Sequence, residues 1–250
     1  MSHIHMPDGI IPTLWWVLGY LLTFSIMFFI FKSMDQEEAR KKIPFTGIAA
    51  AIMLLGMSVP LVIVPVHLSL AVMTGILIGP KLGFLAVFVV NIILAFFGHG
   101  GITIVGLNTL IIGSEVFIGY YLFKYFTQNI NKVVGTVMAT VLALLVSTTL
   151  MVGVVGITAG LTEALPHHHD EEHLQEVQHL EESYDDHDHQ HNHGQLSEEV
   201  AKIEYFTFAG WKAVFLILAM GILLESLGTA LIVKYFLKVR PDLIMPTKDI

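Results

Sequence analysis

Long apolar runs, parted by short polar breaks, set the pattern of this chain. Residues 11–32, IPTLWWVLGYLLTFSIMFFIFK, are about as long as one bilayer crossing. Trp15 and Trp16 suit the aromatic belt at a membrane surface. A polar break, KSMDQEEARKK, leads into a second apolar run at 43–66. Residues 68–79 are apolar but short, and Gly79-Pro80-Lys81 breaks the pattern behind them. Further runs occupy 82–97, 102–126, 133–158 and 207–237, with a Gly98-His99-Gly100-Gly101 break after the first of these. The pattern predicts an all-α integral membrane protein of about seven transmembrane helices. It divides into 1–158, with an N-terminal strand and the first six helices; a polar segment, 159–206, expected to be largely disordered; and 207–250, with the last helix and a tail.

Composition agrees. Hydrophobic residues make up 54% of the 250 residues and charged residues 14%, well under the ~25% of a soluble domain. So little charge cannot cover a water-exposed surface, which places the chain in a membrane, expected to be the cell membrane. There is no cysteine, which excludes disulfides and thiolate metal sites.

The thirteen basic residues give the orientation. With the N-terminus outside, the inner loops and tail collect Lys32, Arg40, Lys41, Lys42, Lys81, Lys124, Lys132, Lys234, Lys238, Arg240 and Lys248. The outer side keeps only Lys202 and Lys212, so the expected topology is N-outside, C-inside. In that topology all thirteen histidines fall on the outer side.

Nine of them lie in an acidic segment, His167, His168, His169, His173, His179, His187, His189, His191 and His193. Neutral imidazole is the commonest protein ligand for transition metals, and surrounding carboxylates raise the local cation concentration. The segment reads as a low-affinity collector of divalent metal; the bland alternative is a solvated acidic linker.

The N-terminus, MSHIHMPDG, carries His3 and His5. A terminal amine, a deprotonated backbone amide and a nearby imidazole together favour Ni(II) or Cu(II) in a square plane. Met1, Ser2 and His3 supply four nitrogens; if Met1 is removed, Ser2 and His3 supply three, and His5 or His67 is a candidate for the fourth. Asp8, His99, Asn108 and Glu115 are candidates to line such a site or to steady its ligands. Glu115 and Glu225 are costly inside a membrane and so are functional candidates, whereas Asn91 and Asn108 read as helix-pairing residues.

The sequence has no G-x-x-x-x-G-K-[ST], no H-E-x-x-H and no G-x-S-x-G motif. The chain is therefore expected to be no enzyme, and any ATP-driven step belongs to another subunit.

The stretch Ile4-His5-Met6-Pro7-Asp8-Gly9 resembles the N-terminal M-H-I-P-D-G of the CbiM/NikM family. These are substrate-specific membrane components of energy-coupling-factor transporters for cobalt and nickel. Ile78-Gly79-Pro80 is similar to the family's I-x-G-P turn, and His99 through Asn108 to its H-G-G-x-T-x-x-G-x-N segment. The resemblance implies a seven-helix capture subunit with the N-terminus folded into the bundle. It implies a metal held by the N-terminal amine, the adjacent histidine's amide and imidazole, and a loop histidine that His67 matches. His5 aligns with the family's second-residue histidine, but three residues precede it, so the extended end is expected to rebuild the chelate at Ser2-His3 or Met1-Ser2-His3. The implied cargo is Ni(II) or Co(II), with no prosthetic group. The implied partners are a coupling membrane subunit, two ATPase subunits and often a small accessory membrane subunit, with no nucleic acid. A stand-alone zinc-type channel or carrier, and a membrane metal sensor or scaffold, are the alternative readings.

Overall fold

The computed structural model describes residues 11–58, 67–98, 100–158 and 193–244. Among these residues all regular structure is helical. The helices are α1 Thr13–Ser33, α2 Gln36–Ser58, α3 Ala71–Ile78, α4 Pro80–Phe96, α5 Val105–Asn129, α6 Lys132–Thr158, α7 His193–Val239 and α8 Pro241–Ile244. Each of the seven apolar runs contains a helix, although their lengths differ from the hydropathy pattern. Four are long and apolar enough to cross a membrane: α1, α5, α6 and the Phe215–Val239 part of α7. Helix α4 is a shorter apolar helix.

Helix α2 starts well before the apolar run. Asp35 Oδ1 accepts from the Glu37 backbone N–H at 2.9 Å, so the charged QEEARKK stretch is helical from its first turn. Pro44 sits inside the continuing helix. Helix α7 begins at His193, inside the segment set apart as 159–206; the remainder of that segment, 159–192, lies outside the described residues.

Helix α3 does not cross on its own. Its eight residues span about 12 Å at ~1.5 Å per residue, against a hydrocarbon layer of roughly 30 Å. Every one of them is buried. An apolar helix buried all round is a core element, and here α2, α4, α5 and α7 pack against it. Gly79 ends α3 and starts α4 at φ +89°, which an L side chain rarely adopts. Small residues then let the helices close up: a Cβ on Gly75 would lie 2.8 Å from the Val116 carbonyl oxygen on α5.

Helix α1 docks on α5 in the same way. A Cβ on Gly106 would come within 2.6 Å of the Tyr20 backbone nitrogen. The Thr23 hydroxyl donates to the Gly106 carbonyl at 2.9 Å, and the Tyr20 hydroxyl donates to the Ile102 carbonyl at 2.5 Å. Elsewhere α1 shows Leu21, Phe28 and Phe29 outward, as a lipid-facing surface does.

One end of the bundle is basic. Lys81 Nζ donates to the Ser33 carbonyl at 2.6 Å, which sets the α3–α4 turn beside the end of α1. Arg240, at the end of α7, lies 5.4 Å from the centre of the Phe45 ring near the start of α2. The Asn91 amide donates to the Thr109 hydroxyl at 3.3 Å, while Phe84 lies against Gly113, so α4 and α5 run antiparallel. The α5–α6 turn, with Lys124 and Lys132 at its sides, therefore lies at the end where α4 begins. His67 and the 97–104 turn lie toward the opposite end.

Candidate functional site

His67 opens the four-residue turn, His67-Leu68-Ser69-Leu70, that leads into α3. It is half-buried; Ser69 and Leu70 are buried. The turn is held from two sides. On one, the Leu68 N–H donates to the Gly56 carbonyl of α2 at 3.0 Å. A Cβ on Gly56 would lie 2.7 Å from the Leu68 carbonyl oxygen, so only glycine admits this approach.

On the other side is Glu225 of α7, whose carboxyl group is fully buried. Its Oε2 accepts from the Ser69 N–H at 3.2 Å and its Oε1 from the Leu70 N–H at 2.9 Å. The Ser69 hydroxyl lies 2.5 Å from the same Oε1. A helix start leaves backbone N–H groups without intrahelical partners, and a carboxylate there is favoured both by its hydrogen bonds and by the helix dipole. Glu225 meets that need from a different helix at the Leu70 N–H, the first of the four at the start of α3, while the Ser69 N–H it also takes belongs to the turn before the helix.

A second buried carboxyl group shares the site. Glu115 of α5 places Oε2 at 2.9 Å from the Ser69 hydroxyl. Its Oε1 accepts from the Ser147 hydroxyl of α6 at 2.6 Å. Ser69 has one hydroxyl proton, so it donates to one of the two carboxyl groups at a time, while its oxygen accepts from the Ala71 N–H at 3.2 Å. The result is a polar knot joining α3, α5, α6 and α7 inside an otherwise apolar core. Such residues in a membrane interior are expensive and are kept where they pair or act. One helical turn beyond Glu225, the buried Thr229 hydroxyl has no hydrogen-bond partner among the described residues.

Leu70 adds a feature that sequence alone does not reveal. Its φ of +53° and ψ of 20° are left-handed. Among the described residues it is the non-glycine residue at positive φ, a conformation that costs about 1–2 kcal/mol for a side chain of this kind. The flanking contacts, Gly56 before it and Glu225 around it, hold it there.

The sequence-derived candidates distribute unevenly. Met1, Ser2, His3, His5, Asp8 and His99 lie outside the described residues, as do His167, His168, His169, His173, His179, His187, His189 and His191. His193 is placed only as the first residue of α7. Asn108 is buried in the first turn of α5. Among the described residues there is no group of three or more His, Cys, Asp or Glu arranged to hold a metal. His67 is brought beside the Glu115–Glu225 knot through Ser69, two residues away. Ser69 and Ser147 were not singled out from the sequence; a hydroxyl in an apolar run usually bonds back to its own helix, as Thr140 does to the Thr136 carbonyl at 2.9 Å.

The chain is similar to a family of cobalt-uptake membrane regions and to proteins named as metal transporters. The model of the family described as CbiM, cobalt uptake substrate-specific transmembrane region, matches residues 5–243. A protein of Methanocaldococcus jannaschii named "Putative metal transport protein MJ1569" is 30% identical over 139 residues, covering 53% of this chain and 62% of that protein. The chain thus spans less than two thirds of that relative's length. Two crystal structures share the fold at 18% identity. One, of a transition metal transporter, has a TM-score of 0.64 and covers 94% of this chain and 93% of its own. The other, of a truncated transition metal transporter, has a TM-score of 0.63 and covers 94% and 98%.

Proposed function

The chain belongs to the CbiM family, and from that membership we propose that it is the metal-capturing membrane component of an importer for a divalent transition metal, Ni(II) or Co(II). The observation that carries this reading is the extent of the family match, 5–243, which takes in His5, His67 and the Gly98–Gly101 turn together. The metal binds at the end of the bundle bearing His67, with the N-terminus, Met1 or Ser2 through His3, and His5 supplying the remaining nitrogens. The 167–193 segment gathers metal near that site.

The N-terminus and His67 face the outside. This orientation is supported by the basic end of the bundle, where Lys32, Lys81, Lys124, Lys132, Lys238 and Arg240 fall, since such residues stay on the cytoplasmic side. The chain carries no P-loop, and in the proposed importer the energy for inward release comes from ATPase subunits acting through a coupling membrane subunit, as the CbiM/NikM resemblance implies.

The test is a titration of the purified protein with its native N-terminus, identified by intact mass, against Ni(II), Co(II), Zn(II) and Cu(II). One tight site that disappears with His67→Ala and with His3→Ala, and survives deletion of 167–193, supports the reading, and the tightest metal names the cargo. Tight binding that survives both substitutions and leaves with the segment overturns it. Metal uptake into vesicles by the chain alone, without ATPase subunits, would instead indicate a stand-alone carrier.

A further inference from the structure

We propose that Glu225 is the positioning residue of the metal-capture turn: it holds His67 in place from the last helix by clamping the backbone of Ser69 and Leu70. The inference rests on the reading of His67 as a metal ligand.

Three observations carry it. The first is the bonding pattern. Glu225 uses both carboxyl oxygens on the main-chain N–H groups of two consecutive residues, at 3.2 and 2.9 Å, so it fixes where the backbone runs and not only where a side chain lies. The second is the backbone itself. Leu70, at φ +53°, is in a conformation the chain leaves unless its surroundings hold it, and its N–H is one of the two that Glu225 holds. The third is the difference between the two carboxyl groups. Glu115 bonds the Ser69 and Ser147 hydroxyls, whereas Glu225 takes main-chain N–H groups.

The consequence is mechanical. His67 lies two residues before Ser69, and the turn's other anchor is the Gly56 carbonyl on α2. The turn that carries His67 is thus tied to both α2 and α7. A shift of α7, which begins at His193 next to the histidine-rich segment, would pull on the capture turn through Glu225. A site whose ligands are held before the metal arrives binds more tightly than one that must first be ordered.

The experiment uses the full-length protein with its native N-terminus in lipid nanodiscs, with Ni(II) as the probe. Glu225→Gln keeps one acceptor oxygen but brings an N–H₂ group against the turn's N–H donors. It should weaken Ni(II) binding at least tenfold. Thr149→Ala on α6, whose exposed hydroxyl bonds back to the Leu145 carbonyl of its own helix at 2.8 Å, should change it less than threefold. In a His67→Ala background Glu225→Gln should have no further effect, because a positioning residue acts only through the group it positions. Glu225→Asp, which retains the charge but shortens the reach, should fall between wild type and Glu225→Gln; it takes over the comparison if the glutamine variant does not purify as a monodisperse protein. A Ni(II) affinity for the Glu225 variants within threefold of wild type overturns the proposal, as does an equal loss with and without His67.

Hydrogen exchange separates this proposal from the reading it rests on. The Ser69 and Leu70 amides should be protected in the metal-free protein, should open in the Glu225 variants and should stay protected in Thr149→Ala. If His67→Ala leaves Ni(II) binding intact, the capture site has been misassigned, and the exchange result alone decides whether Glu225 clamps the turn. Unchanged protection in the Glu225 variants overturns the clamp whatever the metal does.

Discussion

Ser69 and Glu225 meet across 156 positions of sequence, hydroxyl to carboxyl at 2.5 Å, and in meeting they fasten the turn after His67 to the last membrane helix. Glu115 approaches the same hydroxyl from α5 at 2.9 Å. Two buried carboxyl groups converge on one small side chain. Its loss should be felt by two carboxyl groups at once.

Ser69→Ala should destabilise the protein by about 1–3 kcal/mol, the usual cost of depriving buried polar groups of a partner. Ser147→Ala removes a partner from Glu115 and not from Glu225, with a weaker contact to the Ile111 carbonyl at 3.4 Å, and should cost less. Thermal unfolding of both variants in the same detergent, followed by far-ultraviolet circular dichroism, checks the order. Equal midpoints for Ser69→Ala and wild type would mean that the knot contributes nothing to stability.

Gly106→Ala tests the seam between α1 and α5. The added methyl would sit 2.6 Å from the Tyr20 nitrogen and 2.7 Å from the Gly19 carbonyl carbon, both backbone atoms with no rotamer to yield. Overpacking of this kind costs about 1–3 kcal/mol, and here the helices must separate to relieve it. Gly153→Ala on α6 is the control: nothing lies within 4 Å of its added Cβ, so it should leave the unfolding midpoint unchanged or raise it slightly. The two alanines make the same chemical change. A similar drop for both would show that the α1–α5 approach does not depend on glycine.

Much of this architecture is legible in the sequence, because bilayer crossings leave a direct trace in hydropathy. The run at 11–32 becomes α1 almost residue for residue, and the run at 133–158 becomes α6. The run at 68–79 shows where the trace ends. Its composition is that of a membrane span, yet α3 is an eight-residue helix buried on all sides, and composition cannot separate burial in protein from burial in lipid. Glu115 and Glu225 stand out in the sequence because an ionisable group in an apolar run is costly wherever it points. Ser69 does not stand out, since a lone serine is cheap and only the folded chain shows two carboxyl groups around it. Leu70 is still less visible, as nothing in leucine announces a left-handed backbone.

Metal capture at the proposed site should release protons. The terminal amine, the backbone amide and the imidazole must all be free of protons to bind a metal, so binding and proton release are linked. Lowering the pH puts protons in competition with the metal, and affinity should fall toward acid. Calorimetric titrations of Ni(II) in buffers of different ionisation enthalpy check this directly: the apparent enthalpy should vary with the buffer, with a slope equal to the protons released. A slope of zero is incompatible with an amine–amide–imidazole chelate and would point to ligands already free of protons, such as carboxylates.

Deleting residues 167–193 separates gathering from selection. The segment holds nine histidines and nine acidic residues, which on the proposed reading offer many weak sites, whereas the proposed N-terminal chelate with His67 offers one. Removing it should lower the number of metal ions bound per chain and leave the tightest dissociation constant unchanged. Transport should suffer only when metal is scarce, because a local store of weakly held ions matters less once the free concentration is high enough to fill the selective site. Uptake measured over a range of Ni(II) concentrations, by vesicles containing the chain with the proposed coupling and ATPase subunits, should therefore show a raised half-saturation point with the same maximum rate. A lowered maximum rate would mean that the segment takes part in the transport step itself, which its continuity with α7 and Glu225 would then have to explain.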